Sequence, residues 1–294
     1  MFYSDEDVCL DTIKYCNENT DIRFHGLSQQ FSNTCSWNKC TFCSYGFNNY
    51  PIKFVNENNV HDIASYNISL LKKAKMNRVY IGDPEFFFSK VNRIYLDILK
   101  RHNIQVGIFA SIKNMNDDTY FNYVFDEYKD IFFKVSIGLE CMNDSMLKLI
   151  NKNQTVETIF KAANRISEAN KKIKNPVNVS WLSMFNIVAK NKEDIISNYE
   201  NFFKLKKSFH DNNSPCIFDF SEVIITAFNY EKYADNPYIR LTGKETDYFI
   251  THDRIDEDGN ILPSDIDIIG YDKFKELRSE QPLRFTGKYM YEHL

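Results

Sequence analysis

Val106-Gly107-Ile108-Phe109-Ala110, a helix-like stretch from Asp117 to Tyr128, and Phe132-Phe133-Lys134-Val135-Ser136-Ile137-Gly138-Leu139 make one passage on which the fold turns. Two short apolar runs flank a polar-faced helical segment. A parallel strand can be reached only by a crossover, and a helix is the usual one, so the passage reads as strand, helix, strand of a βα unit.

The same alternation extends in both directions. Upstream, Ile22–Leu27 and Arg78–Gly82 are strand-like, separated by a helix from Asn59 to Lys75 with Ile63, Ile68, Leu70 and Leu71 toward one side. A second helix, residues 90–102, carries Val91, Ile94, Leu96, Ile98 and Leu99. Downstream, one long helix is expected from Asp144 to Lys172, closed by Pro176, then a strand within Val177–Val188, a helix Lys192–Lys206 and a sixth strand within Ile217–Ala227. Six such alternations imply an α/β chain, a partial (βα)6 TIM-like barrel, with an open doubly wound sheet as the rival that periodicity does not separate from it.

The expected organisation is a short N-terminal helix over residues 1–20, a barrel core over 21–230 and a C-terminal extension over 231–294 that covers the barrel mouth. The extension breaks the alternation with Asp256-Glu257-Asp258-Gly259-Asn260 and with Pro237, Pro263 and Pro282, all turn chemistry.

Composition narrows the function classes. A net charge of −4 and a pI near 5.9 give no general pull toward phosphate backbones, so nucleic acid is disfavoured as a partner. The first residues lack both a basic start and an apolar run, and no stretch has the roughly 18 uninterrupted apolar residues of a membrane span. The expected location is the cytoplasm. The 25 Phe and 18 Tyr read mainly as packing.

Seven cysteines are an odd number for a disulfide framework. Three of them lie together in Cys35-Ser36-Trp37-Asn38-Lys39-Cys40-Thr41-Phe42-Cys43, a C-x4-C-x2-C pattern after the first strand, while Cys9, Cys16, Cys141 and Cys216 are scattered. Three thiolates in one loop can hold three irons of a [4Fe-4S] cluster and leave the fourth open to a small molecule. A structural zinc site is the alternative, with His25 or His61 as fourth ligand.

The cysteine segment resembles the cluster loop of the radical S-adenosylmethionine (SAM) superfamily, whose commonest form is C-x3-C-x2-C with an aromatic before the last cysteine. Phe42 matches that aromatic, and the first spacing here is one residue longer. Gly82-Asp83-Pro84-Glu85 stands where the family has a Gly-Gly-Glu-like motif for the methionine ammonium of SAM. Val135–Glu140 followed by Met146–Lys152 resembles the family's Gly-x-Glu strand and its ensuing helix.

The resemblance implies an oxygen-sensitive iron-sulfur enzyme that cleaves SAM reductively to a 5'-deoxyadenosyl radical and abstracts hydrogen from a peptide or small-metabolite substrate, in natural-product or peptide modification. It implies Cys35, Cys40 and Cys43 as catalytic cluster ligands, and Phe42, Gly82, Asp83, Glu85, Ser111, Glu140 and Asn186 as cofactor contacts. An external electron donor of flavodoxin or ferredoxin type is implied as partner. A non-catalytic zinc or Fe-S protein and a tRNA-modifying radical SAM enzyme are the other readings. Cys141 reads as a small buried thiol or, beside Glu140, as a hydrogen-atom donor. Single polar residues near strand ends, Ser111, Asn186 and Thr226, are equally compatible with hydrogen-bonded turns.

Overall fold

A computed structural model describes residues 27–32, 35–43, 56–185, 189, 191–222, 239–241, 252–254, 260, 270, 272–273 and 284–286. In chain order these form β1 (Leu27–Gln29), α1 (Glu57–Lys73), β2 (Arg78–Ile81), α2 (Lys90–Arg101), β3 (Gln105–Ala110), α3 (Ile112–Asn116) and α4 (Asp118–Asn122). Then come β4 (Phe132–Glu140), α5 (Asp144–Leu149), α6 (Val156–Asn170), β5 (Asn178–Phe185), α7 (Lys192–Asp211), β6 (Cys216–Glu222), β7 (Ile239–Leu241), β8 (His252–Arg254) and β9 (Arg284–Thr286). The helix expected over 1–20, and the residues His25, Asn186, Thr226, Cys9 and Cys16, lie outside the described residues.

Seven strands make one sheet in the order β1-β2-β3-β4-β5-β6-β9, every pair parallel. This order decides between the two rival architectures. A doubly wound sheet reverses direction at a switch point, whereas here the first six strands follow one another without reversal. With right-handed crossovers, such an order keeps the connecting helices on one face, as in a barrel. The chain is therefore an α/β partial TIM-like barrel. Arg284–Thr286 add a seventh strand against β6, so part of the segment expected to be a separate extension is tied to the sheet edge. β7 and β8 form their own antiparallel pair.

The two faces of the sheet differ in chemistry. Trp181 packs edge-on against Phe209, and Phe218 against Phe202, both of α7, which marks the helix-covered face. Register places Val79, Val106, Ile108, Val135, Ile137 and Val179 on that same face, and all are buried. The other face presents Tyr80, Gly107 and Lys134 in one row, and Phe109, Ser136 and Ser180 in the next. This inner face is much the more polar, with the Ser136 and Ser180 side chains buried. Gly107 is required there, because a Cβ would stand 2.7 Å from Tyr80 Cδ1.

Helix ends follow their caps. Asn56, Ser89, Ser111, Asn143, Thr155 and Asn191 each accept a backbone N–H of the first turn of the helix they precede, a contribution of about 1 kcal/mol each. The helix expected from Asp144 to Lys172 is broken into α5 and α6. Asn151 takes a left-handed φ of 52°, and Thr155 starts α6 with a capping box to Thr158. The helix expected over 117–128 keeps only one α-helical turn in α4, and Tyr123–Glu127 continue as a wider π-helical turn.

Candidate active site at the carboxyl edge of the sheet

Because the strands are parallel, the segments after β1, β2 and β3 and the end of β4 meet at one edge. The first of these is the cysteine loop. Cys40 is buried, and Cys35 and Cys43 are half-buried. The three thiols lie near enough to interact. Burial pushes the Cys40 thiol up to about 12, Lys152 pulls the other way, and Glu140, Cys43 and Cys35 each push further. A thiolate at that position needs a compensating cation.

Two turns hold this loop, one from each side. On the Cys35 side stands Gly82–Glu85, after β2. Asp83 Oδ1 accepts the N–H groups of Phe31 (2.6 Å) and Ser32 (2.9 Å), and Glu85 Oε2 accepts that of Ser36 (2.7 Å). Glu85 Oε1 accepts the Ser111 hydroxyl at 2.9 Å. Gly82 N donates to Gln29 O and Phe86 N to Phe109 O, so the turn is fastened to β1 and β3. Asp83 Oδ2 is buried with no partner. Burial raises the Asp83 carboxyl to about 6, against the lowering effect of the Ser32 and Phe31 N–H groups.

On the Cys40 side stands the break between α5 and α6. Thr41 N donates to Ile150 O (2.9 Å), the Trp37 indole N–H to Asn151 O (2.6 Å), and Asn151 Nδ2 to Lys39 O (2.8 Å). Lys152 Nζ lies 5.8 Å from the centre of the Phe42 ring and 2.8 Å from Glu140 Oε1. Burial lowers the ammonium's affinity for its proton, but Glu140 and then Cys40 outweigh it and hold Lys152 above its ordinary value.

Glu140 closes β4 with a left-handed φ of 64°, where the β4–β5 register slips between Gly138 and Glu140. Non-glycine residues adopt this conformation at a cost, and it is concentrated at functional sites. Asn198 and Asn201 of α7 hold the next turn, through Met142 N and Met142 O. Gly138 makes the space: a Cβ there would stand 2.8 Å from Glu140 Oε1 and 2.9 Å from Lys152 Nζ.

The structure thus brings together Cys35, Cys40, Cys43, Phe42, Gly82, Asp83, Glu85, Ser111 and Glu140 at one edge. Sequence reading missed Lys152 and Asn151. Lys152 sits twelve residues after Glu140, inside what reads as an uninterrupted helix, and the cluster of amides in Asn151-Lys152-Asn153-Gln154 was the available turn signal. Cys141 is buried in the core, its Sγ 4.0 Å from Asn143 O, and burial raises its thiol above the usual range. His61 lies exposed on α1. Among the described residues, no three His, Cys, Asp or Glu side chains stand close enough to grip one metal ion.

A family profile described as the radical SAM superfamily matches residues 30–197, more than half of the chain. No curated protein sequence is similar enough to count as a match. Among solved structures, the radical S-adenosylmethionine methyltransferase TsrM from Kitasatospora setae, with cobalamin and a [4Fe-4S] cluster bound, aligns at a TM-score of 0.53 and 14% identity, over 80% of this chain and 48% of its own. The cobalamin-dependent S-adenosylmethionine radical enzyme OxsB aligns at 0.48 and 14% identity, over 60% of this chain and 26% of its own. Methylornithine synthase (PylB) aligns at 0.46 and 14% identity, over 74% of this chain and 60% of its own. The chain spans only about a quarter of OxsB and half of TsrM, and at such identity the TsrM likeness concerns the fold alone. The profile match covers the cysteine loop, both turns that hold it and strands β2 to β5, and the chain belongs to the radical SAM superfamily.

Proposed function

We propose that this chain is a radical SAM enzyme in which Cys35, Cys40 and Cys43 hold one [4Fe-4S] cluster, and that it abstracts hydrogen from a peptide or small-metabolite substrate. The observation that carries this reading is three thiols on one loop, at the carboxyl edge of a parallel barrel sheet, fastened from both sides by backbone hydrogen bonds. The residues present fit the group. Cys40 is a buried thiol near the Lys152 cation, which would offset part of the charge of a cluster-bound thiolate there. When bound, the cluster and SAM supply a reductively generated 5'-deoxyadenosyl radical.

The chain's own residues bind, orient and exclude. Phe42, Gly82, Ser111, Glu140 and, after β5, Asn186 are the proposed SAM contacts. Asp83 and Glu85 belong to the same turn, although three of their four oxygens are engaged with this chain's own donors. Glu140 offers the carboxylate at the end of β4 that a ribose hydroxyl can reach. The polar inner face, with Ser136 and Ser180, supports a substrate that carries hydrogen-bonding groups. Residues 231–294 are the proposed cover of the mouth, keeping water and oxygen from the radical. An external flavodoxin- or ferredoxin-type donor would supply the electron. No described helix is long and apolar enough to cross a membrane; the proposed location is the cytoplasm.

The test is anaerobic reconstitution with iron and sulfide, then reduction with dithionite in the presence of SAM. Formation of 5'-deoxyadenosine, lost in Cys35→Ala, Cys40→Ala and Cys43→Ala, is the expected result. A colourless protein that retains one zinc and makes none overturns the reading.

A further inference from the structure

The Gly82–Glu85 turn receives three backbone N–H groups from a six-residue span of the incoming chain, those of Phe31, Ser32 and Ser36. That span delivers Cys35. Its first residue is itself anchored, since the Phe31 ring is buried edge-on against Tyr95 at 4.7 Å. The carboxylates of Asp83 and Glu85 are almost fully buried, 0% and 1% exposed, so water does not compete for these bonds. Buried hydrogen bonds to a charged acceptor are among the stronger ones.

Glu85 does more than hold one N–H. Its second oxygen takes the Ser111 hydroxyl at the end of β3. That hydroxyl also lies 2.7 Å from Asn114 Oδ1; its single proton can go to only one of the two oxygens, and a carboxylate is the stronger acceptor. One carboxylate therefore joins the residue after Cys35 to the end of β3.

We propose that Asp83 and Glu85 are positioning residues for the cluster loop, and that Glu85, through Ser36 N–H and Ser111 O–H, fixes the place of Cys35 and sets the charge next to the cluster. This rests on the proposed cluster at Cys35, Cys40 and Cys43. Two consequences follow from the geometry. Removing the Glu85 carboxylate frees the Ser36 amide and lets the Cys35 segment move, so the cluster is held less well. Neutralising it while keeping an acceptor leaves the loop in place but removes a negative charge near the cluster, which makes reduction easier.

The experiment compares reconstituted parent, Glu85→Ala, Glu85→Gln and Ser111→Ala proteins by iron content after gel filtration, by the electron paramagnetic resonance signal of the reduced cluster, and by its midpoint potential without SAM. Glu85→Ala should lose most of its iron. Glu85→Gln should keep it, rescuing the loop, and shift the midpoint potential in the positive direction. Ser111→Ala should keep its iron with an altered resonance signal. Circular dichroism of the apo-proteins reports folding. If Glu85→Ala does not fold, Glu85→Gln decides: a parental potential overturns the proposal and a positive shift supports it. Parental iron content and potential in Glu85→Ala overturn it outright. A Glu85→Gln protein with parental iron and potential that fails only to change its resonance signal on adding SAM assigns Glu85 to SAM instead, and also overturns it. A parent protein that assembles no cluster refutes the proposed function, a separate outcome visible before any variant is made.

Discussion

The Glu140–Lys152 pair is open to a quantitative test, because both partners are largely buried and close. The side chains are 12% and 16% exposed and the ions 2.8 Å apart, so gross attraction at an effective dielectric of 20 is about 6 kcal/mol. Desolvating two ions costs several kcal/mol each and cancels most of that gain. The net worth of the pair is therefore small, while the cost of halving it is not: removal of one partner from a buried pair costs about 3–5 kcal/mol, and the residual exposure here puts the expectation near the lower end. Lys152→Met should destabilise by about 3 kcal/mol, since it strands Glu140 in a left-handed position it cannot leave. Glu140→Gln should cost less, about 1–2 kcal/mol, because the amide oxygen can still accept the Lys152 hydrogen bond. The double variant should recover about 2 kcal/mol of the summed loss. Urea unfolding of the four apo-proteins at pH 7, anaerobic and reducing, measures the cycle without any cluster present. Additivity within about 0.5 kcal/mol would mean the pair is not coupled and the reasoning fails.

Other expectations concern the same edge. Asp83 titrates near 6 in the folded chain and near 3.9 when unfolded, so the folded state holds its proton longer and stability falls as pH rises from about 4 to 6, by up to about 3 kcal/mol, then levels. Asp83→Asn should abolish that slope, and a parent-minus-variant stability difference that does not change across this window would refute it. Asn151→Ala removes the bond to Lys39 O and the amide residue favoured at positive φ; a loss of about 1–2 kcal/mol is expected, with faster iron release to a chelator than from the parent. Replacing Cys9, Cys16, Cys141 and Cys216 together by Ala should leave iron at about four per chain, because Cys216 opens β6 and Cys141 follows the end of the parallel β4, at opposite ends of the sheet. A parent with about eight irons that falls to half in this variant would reveal a second cluster.

The strands were legible because each is a short apolar run between turn residues, and five of the six expected begin within one residue of where the structure starts them. The exception, expected over Ile22–Leu27, meets the described β1 only at Leu27. Architecture was less legible: strand order separates a barrel from a doubly wound sheet, and order is a property of pairing between residues far apart in sequence. The break at Asn151 was hidden because the apolar residues Leu149, Val156 and Phe160 keep a helix-compatible spacing across it. What stops the helix is a left-handed asparagine and a threonine cap, features that periodicity does not weigh. The cysteine loop was visible from spacing alone. Its fastening was not, since Glu85 to Ser36 and Asn151 to Lys39 cross 49 and 112 residues.

That fastening explains why the break in the helix falls where it does. A continuous helix through residues 150–152 would use Ile150 O and Asn151 O for its own i+4 N–H groups. Ending α5 at Leu149 releases both carbonyls, and they are the acceptors that Thr41 N–H and Trp37 Nε1–H find. The same break turns Lys152 toward Glu140 and the Cys40 thiol rather than along a helix surface. The left-handed φ at Asn151 costs about 1 kcal/mol or less for this residue type, and two hydrogen bonds from the loop together with one donated back by its own amide offset it. The chain thus gives up a few helical bonds on the outside of the barrel and gains a second wall for the cysteine loop at its mouth. Restoring the helix by Asn151→Leu would reclaim the carbonyls and should release Trp37, which a red shift in its fluorescence would report; unchanged emission with full helicity would show that the loop does not depend on the break.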